Sequence, residues 1–357
     1  MESTEKSKVT IRQGTHSEND GLINLTSLTP MKGKISIRVD RKPDFFGLLE
    51  MRGHSFVMVA ESNNQIVGSY SVSAMPVYLG GVSETAYYLS DFRVHSDYRK
   101  SKIALELAEA GILKLQSLHA NLLFSTVLTG NEAVSSFLKG SSYWPAAKAA
   151  GVFNAYQIIP TSYKAKKSKY IVTESYSDSS CVDFFNDFAK KFRFSPVLSE
   201  RSFDNTILLT AALNNELVAA ICLSDVSTTK QEVLTGLPFL LKNCVHFVNS
   251  IRVILSMNRL PGINENIKIL YIKSFACKPE HKAALKLLLS RARNIAYEKQ
   301  YHFLTIGIHE KNPWKKVFAN SRKFNVQSNL FVTSLVNDKD MTDLVLTGVP
   351  CLDYSLV

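Results

Sequence analysis

One block of this sequence occurs twice. FVMVAESNNQIVGSYSVS (Phe56–Ser73) returns as ILLTAALNNELVAAICLS (Ile207–Ser224), 151 residues later, with the same Asn-Asn pair between two apolar runs. Alternating apolar residues on either side of Asn-Asn predict a β-hairpin, because a two-residue turn with both φ angles positive matches the twist of paired strands. Two further pieces follow in the same order. Leu89–Gln116, an apolar strand running into a helix, is matched by Ile272–Lys299, and Leu122–Lys139, a short strand and a short helix, by Leu304–Asn320. Three matched blocks in one order mark an internal duplication. The offset grows to 183 by the second block, so the surplus falls in Thr228–Ile267, read as an insertion holding a helix or two.

At 357 residues the chain exceeds one ordinary core and suits two domains. The first half reads as a strand at Lys8–Arg12, a helix around Gly21–Leu28, a turn, and a second helix at Pro43–Arg52. The Asn-Asn hairpin follows, then a strand at Ala86–Val94, a helix at Lys100–Leu118, a strand at Leu122–Leu128, a short helix at Asn131–Lys139 and a closing strand at Val152–Ile159. The Lys-rich stretch 161–169 reads as a solvated linker between residues 1–160 and 170–357.

Tyr87–Ala104 (YYLSDFRVHSDYRKSKIA) carries the most chemistry. A strand ends at Val94, and a helix begins with Arg99, Lys100 and Lys102 in its approach. Free N–H groups at a helix N-terminus, a favourable dipole and flanking cations make a cradle for an anion such as pyrophosphate. The net charge of +11 agrees with an anionic ligand. The cations are dispersed apart from KAKKSK (Lys164–Lys169), and no RNA-binding aromatic motif, zinc finger or helix-turn-helix accompanies them, which argues against nucleic acid. The five cysteines, Cys181, Cys222, Cys244, Cys277 and Cys351, share no metal-binding spacing, so no metal is expected; they suit a reducing, cytoplasmic setting. No apolar run reaches the roughly 18–20 residues that cross a bilayer, and MESTEKSKVT has no hydrophobic core for a secretory signal.

Together these residues resemble the GNAT superfamily of acyl-coenzyme A-dependent N-acyltransferases. Val94–Arg99 matches the lead-in to that family's Arg/Gln-x-x-Gly-x-Gly/Ala loop, and Arg99 and Ala104 match the loop itself, with Lys102 where the family prefers glycine. Gly130-Asn131-Glu132-Ala133-Val134 fits the asparagine that opens the family's next short helix. The resemblance covers Val9–Pro160 well and Tyr170–Leu335 weakly. It implies an α/β (α+β) fold of two tandem domains, each a mixed, mostly antiparallel twisted sheet flanked by helices, the second a degenerate copy.

The resemblance also assigns roles. Acetyl-CoA or another acyl-CoA is the expected co-substrate. Its pyrophosphate would lie on Arg99, Lys100, Ser101, Lys102, Ile103 and Ala104, its pantetheine amides along Phe92, Arg93 and Val94, with Asn131 beside the pantetheine arm. Acyl transfer to an amine needs a base, oxyanion donors and an acid for the thiolate. Asp91 is the expected base, and strand alternation puts it on one face with Arg93 and opposite Ser90 and Phe92. The family's acidic tyrosine falls at Phe137, so Tyr143 is the expected replacement. The acceptor is an amine; Arg38, Arg41 and Lys42 would suit an anionic one, or are a solvated basic loop. Its identity and the oligomeric state stay open. A non-catalytic acyl-CoA-binding protein on the same scaffold is the other reading.

In the second copy Lys282 replaces Arg99, while Leu285 and Leu287 stand for Lys102 and Ala104. Leucines there favour helix packing over phosphate approach, so the live site is expected in the first half.

Overall fold

The computed structural model of the chain describes residues 9–31, 35–99, 101–131, 145–162, 167–336 and 339–357. The first half contains β1 (Thr10–Gly14), α1 (Asn19–Leu28), β2 (Ser36–Asp40), α2 (Gly47–Arg52), β3 (His54–Ser62), β4 (Gln65–Leu79), β5 (Val82–Val94), α3 (Ile103–Ser117), β6 (Leu122–Leu128) and β7 (Lys148–Ile158). The second contains β8 (Ile171–Tyr176), α4 (Val182–Ala189), β9 (Ser195–Pro196), β10 (Thr206–Leu213), β11 (Glu216–Ser224), β12 (Gln231–Gly236), α5 (Phe239–Ser250) and β13 (Asn266–Ile267). It ends with β14 (Ile269–Cys277), α6 (Lys282–Glu298), β15 (Phe303–His309), α7 (Lys315–Ala319), β16 (Lys323–Ser334) and α8 (Lys339–Thr347). The expected short helix at 131–139 lies outside the described residues beyond Asn131.

Both hairpins form where the Asn pairs predict them. Asn63 and Asn64 have φ of 50° and 59°, and Asn214 and Asn215 have 52° and 64°, the two left-handed positions such a turn needs.

The strands join in one twisted sheet of order β1-β3-β4-β5-β6-β16-β7-β15-β14-β11-β10-β8, with β9 on β4. Pairing is antiparallel except for β5 with β6 and β14 with β15. The mixed, mostly antiparallel sheet is as expected. The order reads the same from either end in duplicated elements: β1 and β8, β3 and β10, β4 and β11, β5 and β14, β6 and β15 occupy mirrored places.

The centre of that order corrects the expectation that β7 closes the first half. β7 pairs with β15 of the second half, from Phe153 opposite His309 to Ile158 opposite Leu304, and β16 returns to pair with β6, Leu122 opposite Ser334 through Leu128 opposite Ser328. The halves exchange their last strands. An apolar strand buried on both faces carries no mark of which neighbour it takes, so the boundary at 161–169 divides the chain but not the sheet.

Alternation along β3 assigns its two faces. Phe56, Met58 and Ala60 pack with Ile103, Leu107 and Ala108 of α3, while Val57 and Val59 pack with Leu22 of α1, Leu49 of α2 and Phe45 just before α2. α3 therefore covers one face, α1 and α2 the other. α3 lies close because Gly111 leaves room for the Tyr70 ring; a Cβ there would sit 1.7 Å from the phenol oxygen. The insertion supplies β12, α5 and β13, and β12 pairs with β2 of the first half in a second, three-stranded sheet, β13-β12-β2.

Candidate active site

Parallel β5 and β6 stay together only briefly. Tyr87 faces Leu123 and Tyr88 faces Phe124, and beyond these the strands diverge. On its other side β5 bulges: Ser71 pairs with Ser90 and Ser69 with Arg93, so Tyr70 stands opposite both Asp91 and Phe92. Asp91 takes φ of 53°, a left-handed position that aspartate tolerates better than most residues. The split opens a cavity of about 290 Å³, bordered by Leu89–Arg93 of β5, Ser125–Leu128 of β6, Ile37 and Val39 of β2 and Glu232 of β12. Asn131 also borders it.

Asp91 does not sit there as a free base. Arg41 Nη2 donates to its Oδ2 at 2.7 Å, and Arg93 and Arg52 guanidinium nitrogens lie at 3.8 Å and 3.9 Å. Burial alone would raise its carboxyl; the charges of Arg41, Arg52 and Arg93 override that and hold it well below the usual carboxylate range. A carboxylate so stabilised accepts a proton poorly near neutrality and serves as the clamp of an arginine cluster. Alternation also fails at the bulge: Ser90 Oγ is 3.4 Å from Asp91 Oδ2 and accepts from Arg52 Nη1 at 2.7 Å.

The cluster is braced from several elements. Arg52 of α2 donates to the Leu356 carbonyl at 2.6 Å and lies 4.9 Å from the Tyr88 ring centroid; burial lowers its pKa to about 10. Arg93 donates to the Thr29 carbonyl at 2.7 Å, and burial lowers it too. Of the basic loop, Arg41 alone joins the cluster. Arg38 pairs with Asp40 at 2.8 Å, and the Lys42 backbone bonds the Gln231 side chain.

The insertion brings groups that sequence reasoning missed. Glu232 Oε1 accepts from the Tyr271 phenol at 2.7 Å and lies 3.8 Å from Lys230 Nζ. Burial pushes the Lys230 ammonium down to about 8, and it donates to the Val357 carbonyl at 2.8 Å. Glu232 is thus a cavity carboxylate held by a phenol and one ammonium rather than by three guanidiniums. The sequence signal was slight: one acidic residue in a strand-like run within the surplus segment. Tyr88 on β5 reaches Thr126 on β6 at 3.1 Å, and Tyr354 bonds Ser328. Burial raises both phenols, so they stay protonated donors. Tyr143 lies outside the described residues, as does Lys100.

The loop 99–102 lies between a 3-10 turn, Ser96–Tyr98, and α3. Lys102 has φ of −80° and ψ of 0°, right-handed backbone that needs no glycine. Arg99, Ser101 and Lys102 are exposed, and no side chain caps the helix through Lys102. Ser101 Oγ accepts from the Ile103 N–H at 3.3 Å. The second copy has no such loop: α6 begins at Lys282 directly after the 3-10 turn Pro279–His281, and Leu285 is fully buried. Its own split, beyond Tyr271 opposite Thr305, is packed by Phe275 against Phe318 at 5.0 Å and Trp314 at 6.3 Å. Asn312 Oδ1 accepts from the Trp314 N–H at 2.9 Å, a helix-start role. Among the described residues no group of three His, Cys, Asp or Glu is placed to hold a metal, and no helix is long and apolar enough to cross a membrane.

Residues 25–140 match the family model described as the acetyltransferase (GNAT) family, a span that includes β5, the 99–104 loop and Asn131. No curated protein matches the chain. Among solved structures, Saccharomyces cerevisiae N-myristoyltransferase with bound myristoyl-CoA superposes with a TM-score of 0.60 at 8% identity, over 92% of this chain and 79% of that one. A GCN5-related N-acetyltransferase from Anabaena variabilis ATCC 29413 gives 0.53 at 8%, over 92% and 73%, and one from Kribbella flavida gives 0.53 at 8%, over 93% and 72%. The match to the GNAT family thus lies within residues 25–140, and the chain as a whole shares the fold of these acyltransferase structures.

Proposed function

We propose that this chain is a GNAT-type N-acyltransferase that moves an acetyl or longer acyl group from acyl-CoA directly to an amine at the β5–β6 split. The observation that carries this reading is the cavity of about 290 Å³ at the bulge of β5, on the same strand that leads to the open loop before α3. The loop 99–104 would take the pyrophosphate, with Arg99 and Lys102 supplying charge to backbone N–H donors. The diverging edge of β5, Phe92–Val94, would pair with the pantetheine amides as an added strand, and Asn131 borders the same space.

Glu232 takes the base role in this proposal. Its carboxylate removes the proton of the acceptor ammonium; the amine nitrogen then bonds the thioester carbon, and the carbon–sulfur bond breaks. The thiolate leaves with a proton from a cavity phenol, Tyr88 or Tyr354, both kept protonated by burial, and the second proton of the attacking nitrogen passes to that phenolate as the amide forms. The second half shapes the acceptor side, since β12 and Lys230 come from it.

A binding protein without turnover is the competing reading, favoured by the locking of Asp91 and by Phe137 in place of a tyrosine. Release of free thiol from acetyl-CoA across a panel of amines separates the two. Release supports transfer; calorimetric binding of acetyl-CoA without release leaves the binding protein, and no binding removes the coenzyme A reading.

A further inference from the structure

Beside the cavity at the split lies a smaller one, an arm of different character. This arm, about 80 Å³, shares Ile37, Gln157, Glu232 and Val326 with it. Beyond them its walls include Leu234 of β12, Leu241 and Val245 of α5, and Phe303 and Phe324. The insertion therefore roofs a space whose lining is almost wholly aliphatic and aromatic. Such a space binds hydrocarbon in preference to water. It lies under β12 and α5, adjoining the β2 side of the split, whereas the loop 99–104 lies before α3, which packs on the opposite face of the sheet.

We propose that this arm binds a hydrocarbon chain of a substrate. Which substrate carries it, the amine or the acyl-CoA, rests on the acyltransfer reading; the binding itself does not. Calorimetry on the full chain with two series tests it: n-alkylamines from butylamine to decylamine, and acyl-CoAs from acetyl to decanoyl. Affinity is expected to rise roughly fourfold per methylene in one series until the arm is full. Leu241→Trp, or Val245→Trp should the first fail to fold, fills the arm and abolishes that rise while butylamine and acetyl-CoA bind as before. A rise along the amines makes the chain the acceptor's; a rise along the acyl-CoAs makes it the donor's. Flat affinity in both series, or a rise that survives filling of the arm, overturns the proposal. Chain-length dependence without thiol release from any pair would sink the transfer reading and leave this one standing.

The outer face of the same helix carries a second inference. At 100° per residue Leu241, Val245 and Val248 form the inner face of α5, and Phe239, Leu240 and Phe247 the opposite one. Phe239, Leu240 and Phe247, with Val253 and Ile254 just beyond, are between 66% and 85% exposed. From Thr235 to Asn264 there is no acidic residue, while Lys242 and Arg252 lie among them, on a chain of net charge +11; Arg259 is paired with Glu265. An apolar helix face with Lys242 and Arg252 beside it is complementary to an anionic lipid surface. A two-fold contact with a second copy would set those cations against themselves.

We infer that α5 rests on such a surface, with the apolar arm directly beneath it. Co-sedimentation of the full chain with phosphatidylcholine vesicles, with and without phosphatidylglycerol, reads this out. Binding is expected only to the anionic vesicles, weaker in high salt, and reduced at least tenfold in Phe239→Ser with Phe247→Ser and in Lys242→Glu. No binding at low salt overturns the inference. So does a lipid-free dimer that the same serine variants dissociate, since the face would then belong to a second copy.

Discussion

Arg41 Nη2 meets Asp91 Oδ2 at 2.7 Å with both side chains less than a tenth exposed. Asp91 is thereby the carboxylate that Arg41, Arg52 and Arg93 share, and its removal leaves the buried Arg41 guanidinium without its anionic partner. Asp91→Asn is expected to cost about 3–5 kcal/mol, the cost of breaking a buried pair from one side, read as a shift in the urea midpoint. The carboxyl is held below its unfolded value, near 3.9. Its contribution is therefore complete above pH ~4 and is lost as pH falls through the folded value. Between neutrality and pH ~4 the wild type should keep its advantage over Asp91→Asn. An advantage that vanished already near pH 6 would mean that the cluster does not depress Asp91.

Lys230 gives the opposite end of the pH scale. Burial lowers its ammonium to about 8, against an unfolded value near 10.4. Between those values the unfolded chain binds the proton that the folded chain has released, so stability rises with pH across that window. Wild type is expected to gain on the order of 2–3 kcal/mol relative to Lys230→Met from pH 8 to pH 10.4. Parallel thermal curves for the two proteins over that range would show that Lys230 stays charged in the fold.

Glu232→Gln keeps the size of the side chain and an acceptor for the Tyr271 phenol, and removes the proposed base. With the amine giving most thiol release, kcat is expected to fall roughly 10²–10⁴-fold, with KM for acetyl-CoA little changed. Raising the pH should restore part of the rate, because the free amine then needs no proton removed. A variant within threefold of wild type would assign the base elsewhere.

Arg99→Ala with Lys102→Ala tests the loop before α3. Both side chains are exposed, so folding should be unchanged. Acetyl-CoA should bind at least tenfold more weakly, with a shallower dependence on salt, as two phosphate-facing charges are lost. Lys102→Gly should bind within a few-fold of wild type, since residue 102 already has right-handed backbone. Equal affinity in the double variant would move the pyrophosphate away from this loop.

What was legible in the sequence was local. Asn63-Asn64 and Asn214-Asn215 announced their hairpins because only a left-handed pair closes such a turn, and Tyr87–Ala104 announced strand, turn and helix. The failures share one cause. The bulge at Asp91 depends on the partner strand β4, so alternation alone placed Ser90 on the wrong face. The arginines that silence Asp91 arrive from residues 41 and 52, and the cavity carboxylate Glu232 from an insertion in the other half. Contacts between residues about 40 to 140 apart in the chain leave no periodicity to read. Only the basic loop hinted at them, and it yielded one arginine of three.

The exchange of β7 and β16 makes the sequence halves interdependent, and this is open to direct test. Residues 1–160 alone would carry β6 without β16 and β7 without β15. β6 and β7 would then have to pair with each other or stand as open edges. Lone apolar edges drive association, so this fragment is expected to aggregate or to dimerise by swapping. A protease site placed within residues 161–169 of the intact chain should give a different result. The ladders β16 with β6, β7 with β16 and β7 with β15 would hold the two pieces together, so they should co-elute after cleavage and unfold in a single urea transition. A fragment 1–160 that is monomeric, unfolds cooperatively and binds acetyl-CoA as tightly as the whole chain would show that the exchange is dispensable. Separation of the nicked halves without denaturant would show the same from the other side.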